Sequence, residues 1–195
     1  MNNAFKLKHV LFIIPLFIIS AIIIISNNQI GLVQAQSTND TFLTYQNLTY
    51  GITIKYPSNW TLDDSGGVDD TDVDIITFNS PSQSDNATVD VHQDKLDTDI
   101  SNIDSYLKFT ISSYQQDLKN FNIIESDKNS SISGNNAYKL IYTYTNDNGT
   151  KMKDLETGTI GGNNNVYYIV YDGEASVFDK YLPSVQRMIN SLQIH

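Results

Sequence analysis

Alternation of apolar and polar residues predicts β-strands over much of the chain. Ile52, Ile54 and Tyr56 alternate with Thr53 and Lys55, which is typical of a strand with one buried face. The same alternation, or a short apolar run, predicts further strands at 60–62, 74–78, 89–91, 138–144, 151–160 and 166–171.

Two later stretches, 103–121 and 178–192, instead carry apolar residues spaced three and four apart, as in amphipathic helices. Pro183 lies within the second and is expected to kink it or to mark the start of its main segment. The expected N-terminal caps are Ser101 with Asp104 and Ser176 with Asp179. Two such helices and a mostly antiparallel sheet of six or seven strands predict a layered α+β fold.

The N-terminal segment has the pattern of a targeting sequence. Lys6 and Lys8 precede an apolar run over 10–25, and a small-x-small site ends at Ala35. This predicts that residues 1–35 are a secretory signal peptide or an N-terminal membrane anchor. Residues 36–44 are expected to form a flexible lead-in, and 45–195 one domain. The predicted location is therefore extracytoplasmic, either secreted or anchored to the outer face of the cytoplasmic membrane.

The amino-acid composition excludes several classes of function. The chain has no cysteine, so thiolate metal sites and cysteine nucleophiles are excluded. A formal net charge of −10 argues against a nucleic-acid partner. Six Asn-x-Ser/Thr sequons suit an exported chain and are candidate glycosylation sites, although chance alone produces several in so Asn-rich a chain. These asparagines are Asn39, Asn47, Asn59, Asn86, Asn129 and Asn148.

Several strings resemble the PsbP-like domain family. The segment from Tyr50 to Trp60, YGITIKYPSNW, resembles the opening of these domains, and the later strings follow in the same order. They are Phe78-Asn79-Ser80-Pro81, Gly134-Asn135-Asn136-Ala137-Tyr138 and Met188-Ile189-Asn190-Ser191-Leu192. The resemblance implies an α/β/α sandwich and a non-enzymatic role. Photosynthetic members act as accessory proteins of photosystem II and help to retain calcium and chloride there. Because Arg187 is the only arginine, the basic docking surface of the plant members is missing.

The densest candidate for chemistry is an acidic segment over 63–74. Within it, Asp69, Asp70, Asp72 and Asp74 are candidate metal ligands, because calcium prefers several carboxylate oxygens. Ile75 replaces the glycine of an EF-hand loop, and Pro81 replaces the closing glutamate. The segment is therefore either a weak calcium site or a solvated acidic loop, and calcium is the cofactor that this segment suggests.

A second candidate lies on one predicted strand, where alternation places Asp90, His92 and Asp94 on the same face. Histidine and carboxylate together can bind zinc or manganese, but a polar strand face explains the pattern equally well. Catalytic motifs are missing from the sequence, since neither a G-x-S-x-G elbow nor an H-E-x-x-H helix occurs. A carboxylate-dependent hydrolase is accordingly the least favoured hypothesis.

Three functional hypotheses follow. The first is an exported, non-enzymatic interaction module that docks on an unknown membrane or envelope protein. The second is a divalent-cation-binding domain that uses the 63–74 segment. The third is the hydrolase. The six tyrosines at 138, 142, 144, 167, 168 and 171 fit either a stacking surface or a sheet core with hydroxyls reaching polar partners.

Overall fold

The computed structural model describes residues 41–67, 72–96, 100 and 102–195. All of these residues lie in one compact unit, 40–195. The targeting segment 1–35 and the sequon at Asn39 are outside the described residues. The strands are β1 Phe42–Asn47, β2 Ile52–Pro57, β3 Thr61–Asp63, β4 Asp72–Asn79, β5 Thr88–Lys95, β6 Lys119–Ile132, β7 Asn135–Thr145, β8 Lys151–Ile160, β9 Asn165–Asp172 and β10 Gln193–Ile194; the helices are α1 Ile103–Asp117 and α2 Phe178–Ser191.

The strands form two sheets. A seven-stranded sheet has the order β3-β4-β5-β9-β8-β7-β6, and a three-stranded sheet has the order β1-β2-β10. Every pairing is antiparallel. The predicted α+β class with a mostly antiparallel sheet and two helices is confirmed.

The main hydrophobic core lies between α2, the small sheet and one face of the large sheet. It includes Ile54 from β2, Val91 from β5, Ile169 from β9 and Val185 from α2, all of them fully buried. On the opposite face of the large sheet, α1 lies over β6 and β7. The result is the predicted α/β/α layering. In the described part of the chain, neither helix has the length and hydrophobicity needed to cross a bilayer.

Several sequence-based boundaries were wrong. Phe42 and its neighbours up to residue 44, expected in a flexible lead-in, belong to β1. Helix α1 ends at Asp117 rather than at Phe121, because the backbone is already extended at Leu118 and the chain continues as β6. Strands β1, β6 and β10 were not predicted at all.

The predicted helix caps also differ from the observed ones. Asn102 caps α1, since its side chain accepts a hydrogen bond from the Ser105 amide at 2.9 Å; Ser101 lies outside the described residues. Val177 precedes α2 without any side-chain cap, so the predicted Ser176 and Asp179 cap is wrong. Pro183 sits inside α2.

Candidate functional site on the acidic face of the sheet

One face of the large sheet is lined with carboxylates. Side chains alternate along each strand, and the antiparallel registers bring the polar positions of β4, β5, β8 and β9 onto the face that α1 partly covers. We call this surface the acidic face; its carboxylates are Asp72, Asp74, Asp90, Asp94, Asp154, Glu156 and Asp172. Among the described positions of β4, β5, β7, β8 and β9 on this face, none is lysine or arginine. Protons, hydroxyl groups or bound cations must therefore balance the negative charge.

The open part of the acidic face centres on His92. Asp74 of β4 lies opposite His92 of β5, and the His92 Nδ1 is 2.7 Å from the Asp74 Oδ1. The His92 ring also stacks on Tyr168 of β9, with a centroid separation of 4.7 Å. Both side chains retain partial exposure, 18% for His92 and 34% for Asp74. The imidazole is thus held in one orientation while solvent still reaches it.

The charge state of His92 reflects opposing effects. Burial is the largest single influence and lowers its pKa, but the Asp74 hydrogen bond and the charges of Asp90, Asp74 and Asp72 together outweigh it. The pKa of His92 is consequently raised above its usual value. A histidine surrounded by carboxylates marks this position as one that attracts positive charge.

Asp72 and Asp94 form the next cross-strand pair along β4 and β5. Asp94 is 5% exposed and accepts a hydrogen bond from the Tyr106 hydroxyl of α1 at 2.7 Å. Burial, followed by the hydrogen bond with Asp72, raises the pKa of Asp94 to about 8. Asp94 is therefore largely protonated at neutral pH, next to the Asp72 side chain to which it is hydrogen-bonded.

One ligand atom from each of Asp72, Asp74 and His92 lies within 4.8 Å of the other two. The β4–β5 register causes this convergence, and an irregularity between Asp74 and Ile76 accompanies it. Ile75 and Ile76 are both in the main core, so the bulge lets two consecutive apolar residues point inward. Asp74 then remains on the acidic face beside His92.

The remaining carboxylates are buried among tyrosines. Glu156 is 1% exposed and accepts hydrogen bonds from the hydroxyls of Tyr114, at 2.6 Å, and Tyr138. Burial raises the pKa of Glu156, although both hydrogen bonds oppose the change. The tyrosines thus provide the donors that lysine or arginine would otherwise supply.

Asp154 and Asp172 form a second acidic pair on β8 and β9. Asp154 is 3% exposed, and its Oδ1 has no hydrogen-bond partner within the described chain. Burial and then the charge of Asp172 raise the pKa of Asp154 well above its usual value. Asp172 accepts a hydrogen bond from Tyr144 at 3.1 Å, and burial raises its pKa to about 6.

The predicted site residues are only partly brought together. Asp72 and Asp74 belong to strand β4 rather than to a loop, while Asp69 and Asp70 lie outside the described residues. His92 and Asp94 share a strand face as predicted, but each pairs with a residue of β4. Metal binding itself stays a prediction.

Sequence reasoning missed the second half of the acidic face. Asp154, Glu156 and Asp172 occupy alternate positions of β8 and the end of β9. Their alternation with apolar residues was a usable signal, because it puts acids and hydrophobic groups on opposite faces. Five of the six clustered tyrosines are buried, and only Tyr144 is partly exposed, so they form sheet interior rather than a stacking surface. The strand β8 separates their two strands, which are not neighbours.

The described sequons differ in accessibility. Asn47, at the end of β1, is partly buried. Its side-chain oxygen accepts hydrogen bonds from the backbone amides of Thr49 and Tyr50. The other four are exposed, and they are Asn59, Asn86, Asn129 and Asn148. Glycosylation stays a prediction for these positions.

Comparison with known proteins identifies the family. Residues 9–194 match the family of PsbP-like proteins. The chain belongs to the PsbP-like family. This match covers nearly the whole described domain together with part of the N-terminal segment. No curated protein sequence shows significant similarity to this PsbP-like protein.

Solved structures support the same fold. Cyanobacterial PsbP from Synechocystis sp. PCC 6803 has a TM-score of 0.58 at 16% identity, covering 85% of this chain and 99% of that protein. The Saccharomyces cerevisiae Ran-binding protein Mog1p has a TM-score of 0.55 at 13% identity, covering 80% and 96%. A Pseudomonas aeruginosa protein of unknown function, PA94, has a TM-score of 0.54 at 14% identity, covering 77% and 94%. At these identities the likeness concerns the fold.

Proposed function

We propose that this PsbP-like protein is a non-catalytic accessory module that binds a divalent metal ion on the open part of its acidic face. The observation that carries the proposal is the convergence of Asp72, Asp74 and His92, whose ligand atoms lie within 4.8 Å of one another. Two carboxylates and a neutral imidazole would balance the charge of a divalent ion.

The sheet holds these three side chains in place before any ion arrives. Asp74 and His92 lie on paired strands, and Tyr168 fixes the plane of the imidazole. The present separation of 2.7 Å between His92 Nδ1 and Asp74 Oδ1 is close to what an ion between them needs. Two ligands at about 2.0–2.2 Å from one ion lie roughly 3.0–3.5 Å apart, so small side-chain rotations suffice.

The neighbouring groups favour such an ion. The described acidic face has no lysine or arginine that would compete with an ion for the three ligands. Ligands held by outer hydrogen bonds bind metals more tightly than free ones. The proposal gives the ion a structural or storage role and assigns no reaction to it.

The proposal also places the domain outside the cytoplasm, docked on a membrane or envelope protein. The support is the basic and apolar N-terminal pattern and the fold shared with Mog1p, whose name describes it as Ran-binding. Crosslinking in intact cells tests the docking part: a single stoichiometric membrane or envelope partner is expected. Recovery of the chain without any partner would contradict docking.

Titration calorimetry on the untagged full chain tests the metal part. After chelator treatment, we expect saturable binding of one divalent ion per chain, lost in Asp74→Asn and in His92→Gln. His195→Gln is the matched control, because His195 is an exposed histidine bonded to Thr53 on the small sheet. Absence of saturable binding, or binding that survives Asp74→Asn and His92→Gln, would refute the proposal.

A further inference from the structure

The side chains of the proposed metal site indicate which ion it binds. Resting on the proposed function, we infer that the Asp72–Asp74–His92 site selects a zinc-like transition-metal ion over calcium and magnesium.

The first argument concerns the donor atoms. Calcium and magnesium prefer oxygen ligands throughout, whereas imidazole nitrogen suits zinc and the neighbouring transition metals. His92 contributes a nitrogen ligand to the cluster, since its Nδ1 lies 2.7 Å from the Asp74 Oδ1. A site that evolved for calcium would place another oxygen donor at this position.

The second argument concerns the number of available oxygens. Calcium takes six to eight oxygen ligands, but the next two carboxylates are already engaged. Asp90 accepts hydrogen bonds from the hydroxyls of Thr77, at 2.5 Å, and Thr88, at 2.8 Å. Asp94 accepts the Tyr106 hydroxyl at 2.7 Å. Recruiting either carboxylate would compete with these hydrogen bonds, so the oxygen-rich shell that calcium prefers is not preformed around the three ligands of the proposed site.

The third argument concerns the backbone. Calcium loops commonly supply main-chain carbonyls as ligands. Asp72, Asp74 and His92 instead lie within the paired strands β4 and β5, where carbonyls point along the sheet toward neighbouring strands and not out of its face. The carbonyls beside the cluster are therefore poorly directed toward an ion on the acidic face. Zinc binds well with three side-chain ligands and an open position for water, and the partial exposure of His92 and Asp74 leaves room for that water.

The test compares ions on one protein. The untagged full chain, purified in non-ionic detergent and stripped with chelator, is titrated with zinc, calcium and magnesium chlorides at fixed ionic strength. We expect one zinc per chain, bound at least about tenfold more tightly than calcium or magnesium. Cobalt(II) added in place of zinc should give visible d–d bands stronger than those of the hexaaquo ion, and excess zinc should remove them.

Variants assign the preference to the imidazole. His92→Gln keeps a polar side chain but removes the nitrogen ligand, so it should abolish the zinc preference and the cobalt bands. His195→Gln should change neither. Calcium or magnesium binding as tightly as zinc, in a manner that needs Asp74, would overturn this inference and leave the proposed function standing. Zinc binding that depends on His195 rather than on His92 would also overturn it. If none of the three ions binds saturably, the proposed function fails as well.

Discussion

Replacing Asp172 by asparagine should stabilise the protein at neutral pH. Burial raises the pKa of Asp172 from 3.8 to about 6, so the folded protein binds this proton more tightly than the unfolded chain does. The associated stability is fully present below the unfolded pKa of 3.8 and is lost as pH rises through about 6. Ionised Asp172 is therefore an unfavourable charge at neutral pH.

The magnitude follows from the shift. The difference between about 6 and 3.8, at about 1.4 kcal/mol for each pKa unit, corresponds to roughly 3 kcal/mol. Because Asp172 retains partial exposure, solvent screening reduces this to about 2 kcal/mol. The asparagine carbonyl can still accept the Tyr144 hydroxyl, which lies 3.1 Å from Asp172, so Asp172→Asn removes the charge without removing the hydrogen bond.

Urea unfolding followed by Trp60 fluorescence measures this effect. Above pH 6, Asp172→Asn should exceed the wild-type free energy of unfolding by about 2 kcal/mol, and the gain should vanish below pH 4. Asp179→Asn is the control: the Asp179 side chain is 85% exposed, and it should show no such pH-dependent gain. A variant that is less stable than wild type above pH 6, or a gain independent of pH, would refute the reasoning.

Three further predictions concern packing and hydrogen bonding, each measured by urea unfolding. Trp60 is 4% exposed; Trp60→Ala, followed by circular dichroism because it removes the single tryptophan, should cost about 3–5 kcal/mol, and water-like emission from native Trp60 would contradict its burial. Gly158→Ala should destabilise, because a Cβ there would lie 2.8 Å from the Tyr138 ring, and unchanged stability would show that the ring can move. Tyr114→Phe should cost about 1–3 kcal/mol, since it removes one of two donors to buried Glu156; an unchanged midpoint would mean that water replaces the hydroxyl.

Sequence patterns predicted the central strands but missed three of the four edge strands, β1, β6 and β10. β5 alternates cleanly because one face packs on the main core, whereas β9 is a short apolar run that is buried on both faces. β6 is an edge strand, mostly exposed, with three register irregularities against β7. Its sequence therefore carries no regular period, and Phe121 happened to continue the helical spacing of α1.

The candidate site was predictable in part for the same reason. Alternation correctly placed His92 and Asp94 on one face of β5. Their pairing with Asp74 and Asp72 depends on the β4–β5 register and on the bulge at Ile75. Register is a tertiary property, set by how the two strands bury their apolar faces, and neither strand reveals it alone.

The buried carboxyls of the acidic face should change the isoelectric point of the folded domain. Burial is the main reason that the pKa is raised for five carboxyls of the acidic face, Asp90, Asp94, Asp154, Glu156 and Asp172. In the folded protein these groups therefore hold protons that they release once the chain is unfolded. Hydrogen bonds lower the pKa of Asp63 and Asp85, but groups with an ordinary value of 3.8 are already mostly ionised at pH 4.4. The folded protein should accordingly focus above the isoelectric point of 4.4 that its composition gives, and unfolding in urea should move the band toward that value.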